Sequence, residues 1–256
     1  MPQTLIDPAE IIAGSWRNLY RNWMLYAEFT VWIVAVAIVY WVFSVYTRFY
    51  VPDRLTSTVL FSLLTLPLSL IIGVVIIAVT DATAKLLQNQ KATAQDSLFT
   101  GLHHLLSFVW ISILITLMLI LGLALLVVPA VIFAVWYAFA TDHLIIDGVR
   151  GTEAMARSKA LVAGRWWAVC LRIVIPWLFF YFAAKFALAL FYLLLGAVLG
   201  DPGMFFGSIP DITAVTSWHL LATTVVPQIF YGLSMPLYVA ANLLLWFNLK
   251  KKPAVK

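Results

Sequence analysis

Near the middle of the chain, Asp142, His143 and Asp147 are residue types that bind metals or move protons. Metal ligands on one helix sit three or four residues apart, because those positions share a face. Only His143 and Asp147 meet that spacing, so a helix end at a membrane surface accounts for the three without a metal. His103 and His104 are adjacent, point apart on a helix, and read as an interfacial pair. Glu28 and Arg172 lie in otherwise apolar stretches. Charges there are costly and usually paired. An ion pair between the two is one expectation, and separate snorkelling to the headgroups is the other. Lys185 either snorkels or faces a lumen that takes an anionic group. Gln228 and Asn242 join it as a candidate polar path, with helix–helix hydrogen bonding as the alternative use. The chain has no phosphate-binding glycine loop, zinc-ligand spacing, Gly-x-Ser-x-Gly elbow or convincing Ser/His/Asp set. No catalytic residue, cofactor or metal follows from the sequence.

The elements that must position these residues are apolar and long. Of 256 residues, 64% are hydrophobic and 11% charged, with a mean hydropathy of +0.99. A soluble domain carries about 25% charged residues. With so few, the chain cannot cover itself with a water-compatible surface, whereas a bilayer tolerates an apolar exterior. The 11 Trp and 10 Tyr suit the headgroup zone. The fold class expected is therefore all-α integral membrane, in one polytopic domain over 1–256. Cys170 is the only cysteine, which excludes an internal disulfide.

A span needs about 20 apolar residues. The pattern predicts spans at 26–47, 57–80, 105–122, 129–147, 167–199 and 221–247. Residues 105–141 carry no charge. They would reach about 55 Å as one helix, nearly twice a ~30 Å core, so they divide near Gly122 and Pro129. With six spans and a cytoplasmic N-terminus, twelve Lys and Arg fall inside, and only Arg48 and Arg54 fall in outer loops. That bias favours this arrangement, with both termini cytoplasmic, in the cell membrane. Asp7, Glu10, Arg17 and Arg21 precede the first span and no cleavage site does, so that span is expected to be an uncleaved signal anchor.

Amphipathic helices are expected on the inner surface, two of them basic. Asp7-Pro8-Ala9-Glu10 starts one over 8–24. Its apolar side is Ile12, Trp16, Leu19, Tyr20 and Trp23, and Arg17, Asn18, Arg21 and Asn22 take the other. Thr152-Glu153 starts the next, and Asp96–Leu106 makes a weaker one. Ser15 and Trp23 repeat as Ser158 and Trp166, which suggests three units of one interfacial helix plus a two-span hairpin. Headgroup contacts are expected from Arg17, Arg21, Arg157, Lys159, Arg165, Lys250, Lys251 and Lys252. The partners implied are membrane lipids, especially anionic inner-leaflet headgroups, together with protein partners or further copies of the chain. The basic residues flank spans rather than forming an arm, so nucleic acid is not implied.

Val128-Pro129, Asp147-Gly148, Gly151-Thr152-Glu153-Ala154, Ser158, Gly164-Arg165-Trp166-Trp167 and the opening Ser15-Trp16 and Asn22-Trp23 carry a resemblance. The chain is similar to the non-catalytic membrane domain attached to some bacterial glycerophosphodiester phosphodiesterases, and to related six-span proteins of unknown function. The resemblance implies a fold. The phosphodiesterase activity of that family belongs to a separate soluble barrel, for which this chain has no βα alternation. The expectation is a non-enzymatic scaffold or accessory protein that organises lipid or partners at the inner leaflet. A small transporter or lipid-handling protein using the polar path is the alternative.

Overall fold

The computed structural model describes residues 5–51, 53–200, 205 and 217–251. Nine helices, and no strand, occur among them: α1 (Pro8–Arg21), α2 (Trp23–Tyr50), α3 (Arg54–Leu87), α4 (Ala94–Leu125), α5 (Val127–Trp136), α6 (Ala140–Asp147), α7 (Gly151–Val162), α8 (Trp166–Val198) and α9 (Ser217–Lys251). Six stretches are long and apolar enough to cross a membrane: Trp23–Thr47, Leu55–Leu87, Ala94–Leu125, Val127–Asp147, Trp166–Val198 and Leu221–Lys251. Each contains or overlaps one predicted span. Most are longer than predicted, because polar residues continue the helices past their apolar cores. Lys252 lies outside the described residues.

The chain forms two compact units. The first holds Met1–Tyr26, Gly73–Leu178 and Pro236–Lys256, and the second Ala27–Ile72 and Phe179–Met235. In the second unit, Phe43 meets Phe61 edge-on at 5.0 Å and Phe191 lies 5.8 Å from Phe230. The Tyr192 hydroxyl donates to the Ala222 carbonyl at 3.1 Å. Gly232 lets Thr30 approach so closely that a Cβ there would fall 2.6 Å from the Thr30 methyl. Packing of this kind, rather than release of water, draws helices together in lipid.

In the first unit, α1 begins as expected: the Asp7 carboxylate caps it by accepting from the Ala9 amide at 2.8 Å, with Pro8 in the first turn. Its aromatic side, expected to lie in the membrane surface, is not the side packed against the protein. Ile11, Ser15 and Asn18 are buried, while Trp16, Tyr20 and Trp23 are exposed. The aromatic residues point away from the protein and the small and amide side chains face it, because Asn18 has a partner there. Its amide donates to the Tyr26 hydroxyl at 2.7 Å, which in turn lies 3.0 Å from the Thr83 hydroxyl.

The interfacial helix expected at Asp96–Leu106 is not separate. Thr93 caps α4, accepting from the Asp96 amide, and the helix runs unbroken to Leu125. Ser97 is fully buried on it and donates to Asp81 on α3, which also holds Lys85. Only two of the three expected units therefore begin with a short helix of their own, α1 and α7. The division near Gly122 is borne out: the chain turns at Leu126, and a Cβ on Gly122 would come within 2.7 Å of Ala130.

The fourth apolar stretch is two helices, not the single predicted one. The backbone breaks at Tyr137–Phe139, between α5 and α6. A break in lipid is tolerated where neighbours satisfy the freed backbone groups. Here the fully buried Ser158 hydroxyl on α7 donates to the Trp136 carbonyl at 2.7 Å and accepts from the Phe139 amide at 3.1 Å. Asn242 donates to the Ala138 carbonyl at 3.4 Å. After Asp147 the chain reverses through Gly148 at φ +68°, a left-handed cap that glycine adopts without a Cβ clash. It folds α7 back along α4 and α6 around Ile111, Leu144, Ala154 and Met155.

Candidate functional site

The charged and polar groups gather where α6, α7, the start of α8 and the end of α9 meet. Asp142 and His143 are each 4% exposed, and buried polar groups require partners. The Asn242 amide donates to Asp142 at 2.6 Å. One turn on, His143 Nδ1 lies 2.7 Å from the Asp147 carboxylate, as the i, i+4 spacing predicted. Lys250 completes the chain of contacts, donating to Asp147 at 2.8 and 3.0 Å. Its ammonium also sits 4.2 Å from the centre of the Trp246 ring, and that ring meets His143 edge-on. Asp142 and Asp147 thus serve different partners, and among the described residues no three His, Cys, Asp or Glu side chains converge on a metal position.

These residues border an open hollow of about 600 Å³ lined by His143, Asp147, Arg157, Arg165, Leu249 and Lys250. Arg157 projects from α7 and pairs with Glu153 at 2.7 Å. Arg165 donates to the Leu161 and Leu249 carbonyls at 3.1 Å. Partial burial pulls its pKa down from the usual arginine value, and an arginine remains cationic at neutral pH. Three cations from separate elements, Arg157, Arg165 and Lys250, therefore line one concave surface together with the Asp147 carboxylate. Such a surface can hold a phosphate or another oxyanion by charge-assisted hydrogen bonds.

The other predicted residues fall elsewhere. Arg172 is half-buried on α8, and its guanidinium donates to the Ile6 carbonyl at 2.6 Å, to Ala168 at 2.9 Å and to Leu5 at 3.4 Å. It ties down the segment before α1, and Asn248 helps by accepting from the Ile6 amide. Glu28 belongs to the second unit and is exposed on α2. Lys185 is exposed on α8, with its ammonium 5.7 Å from the Tyr181 ring centre. Gln228 lines a separate hollow of about 370 Å³ in the second unit with Tyr40, Ser44 and Thr224. Arg17, Arg21, Lys159 and Lys251 are exposed.

Sequence reasoning missed three contacts: Asn242 with Asp142, Lys250 with Asp147, and Ser158 across the α5–α6 break. One signal for the first was available, since two lone polar groups in apolar segments each need a partner. Comparison with known protein families, with curated proteins and with solved structures found no match for the chain. What fold and site define together is an all-α integral membrane protein with six membrane-length apolar helices and a basic hollow.

Proposed function

We propose that the chain is a non-enzymatic protein of the cell membrane, with both termini cytoplasmic, that gathers anionic lipid headgroups at the inner leaflet and so organises lipid or partner proteins there. The observation that carries this reading is the segregation of charge. Of the 16 Lys and Arg, all but Arg48, Arg54 and Lys185 belong to the first unit. That unit also holds the hollow lined by Arg157, Arg165 and Lys250. Positive charge concentrates on the cytoplasmic side of membrane proteins and attracts anionic lipid by roughly 1 kcal/mol per residue. Kinship with the phosphodiesterase-associated membrane domain is part of this proposal.

The test is lipid retention after purification, read by native mass spectrometry from bilayers of phosphatidylcholine with or without phosphatidylglycerol. The wild type should keep phosphatidylglycerol selectively, and Arg157→Gln/Lys250→Gln should lose about tenfold of that preference. Equal retention of both lipids by the wild type refutes the reading. A transport role is the second reading, favoured by the hollow beside Gln228. Lys185, exposed beside Tyr181, is not among the residues lining that hollow, which weighs against it.

A further inference from the structure

The first unit contains a second, different hollow. The face of α5 and the corner between α7 and α8 enclose about 690 Å³, walled by Val131, Ile132, Trp136, Trp166, Trp167 and Cys170. Its one charged lining residue is Lys159, whose ammonium lies 4.4 Å from the centre of the Trp136 ring. Lys159 makes no ion pair among the described residues. The volume lies in the range of small-molecule pockets. An apolar wall with a single unpaired cation at its rim matches an amphiphile with a tail and an anionic head. We propose that this groove seats one acyl chain of an anionic phospholipid, with Lys159 pairing to its phosphate. The inference rests on the lipid-gathering role above and names where a tail, rather than a headgroup alone, is held.

The experiment uses phosphatidylglycerol and phosphatidylcholine carrying a photoreactive group along one acyl chain, with the full chain in bilayers. Crosslinks should map to residues 127–136 and 163–170, with phosphatidylglycerol favoured. Lys159→Gln should cut that preference about fivefold. Ala163→Trp, and independently Val131→Trp from the opposite wall, should fill the groove and remove the crosslinks for both lipids. Arg157→Gln/Lys250→Gln should leave them in place, so this proposal and the headgroup proposal fail separately. Crosslinks spread evenly over the apolar helices and unmoved by either Trp variant would overturn the groove. Equal labelling by both lipids would overturn the role of Lys159.

A second inference rests on different distances. The tip of the α4–α5 hairpin is Leu125, Leu126, Val127 and Val128, each 61–72% exposed. A water-facing turn would carry polar residues, and residues 105–141 contain no charge at all. The tip also lies near the start of α8, since Val127 and Val128 line one hollow with Trp166 and Trp167. Trp166 Nε1 donates to the Ile132 carbonyl at 3.4 Å. A Trp side chain reaches about 6 Å, and five helical residues from Ile132 to Val127 add about 8 Å. Val127 therefore lies within about 20 Å of Trp166, against a hydrocarbon core of about 30 Å. Trp166 itself follows Arg165, which is bonded to Leu249 beside the terminal lysines. The geometry points to α4 and α5 forming a re-entrant hairpin whose tip stays in hydrocarbon, so that four helices cross and two do not. The Leu126 amide bonds back to Gly122 and Pro129 removes one donor, as a turn in lipid requires.

Site-directed labelling decides it. In a Cys170→Ala background, Leu126→Cys is exposed to a membrane-impermeant maleimide from each face in right-side-out and inverted vesicles, beside Asp53→Cys and Gln90→Cys as controls. We expect each control to label from one face and Leu126→Cys from neither, until detergent is added. Labelling of Leu126→Cys from the same face as Asp53→Cys would overturn the hairpin.

Discussion

Ser158 and Ser15 occupy matching places in α7 and α1, and both are fully buried, yet the structure gives them unequal work. Ser15 donates only to the Ile11 carbonyl of its own helix at 2.8 Å. Ser158 serves two backbone groups of another segment, the Trp136 carbonyl and the Phe139 amide. Ser158→Ala removes one side-chain oxygen and strands both groups, the Phe139 amide of a buried bond and the Trp136 carbonyl of a partly buried one. Each stranded backbone group costs about 1–3 kcal/mol, so the variant should lose about 2–6 kcal/mol. Ser15→Ala should lose less than about 0.5 kcal/mol, because a hydroxyl bonded back to its own helix adds little. The assay is unfolding in mixed micelles against a denaturing detergent, read by far-ultraviolet circular dichroism, with both variants run beside wild type. Hydrogen exchange at residues 137–143 should rise in Ser158→Ala alone. Equal losses for the two serines would refute the claim that Ser158 holds the break together.

Other perturbations follow from single contacts. Asn242→Leu deprives the buried Asp142 of its donor and should cost about 1–3 kcal/mol. Asp142→Leu/Asn242→Leu should cost less than the sum of the single changes, as a double-mutant cycle in the same unfolding assay would show. Gly101→Ala would set a Cβ 2.6 Å from the Val74 carbonyl oxygen, and because backbone cannot yield, about 1–3 kcal/mol should be lost. Gly73→Ala, whose new Cβ would meet Leu105 at 3.4 Å, should stay near wild type in that measurement. Arg172→Lys keeps the charge but not the planar fork that spans carbonyls on two segments. Limited proteolysis should then cut before α1 several-fold faster, and an unchanged rate would show that the fork is not what anchors Leu5 and Ile6.

The amino-acid sequence alone determined the solvent and the local elements. So few charges among so many apolar residues leave a bilayer as the medium, and runs of about 20 apolar residues mark the helices. The Asp7 cap and the turn near Gly122 were legible because each depends on neighbours a few residues away. Which residues α1 buries against the protein was not, since the partner of Asn18, Tyr26, is set by the fold rather than by spacing. Tertiary structure alone decided that α4 runs unbroken, that the fourth apolar stretch breaks at Tyr137–Phe139, and that Asp142 meets Asn242 while Asp147 meets Lys250. Those partners stand about 100 residues apart in the chain. Charge counting cannot see them, and it cannot tell a hairpin that crosses from one that turns back, because the tip carries no charge to count. Only the packing of α7 and α8 against the broken helix fixes where these groups meet.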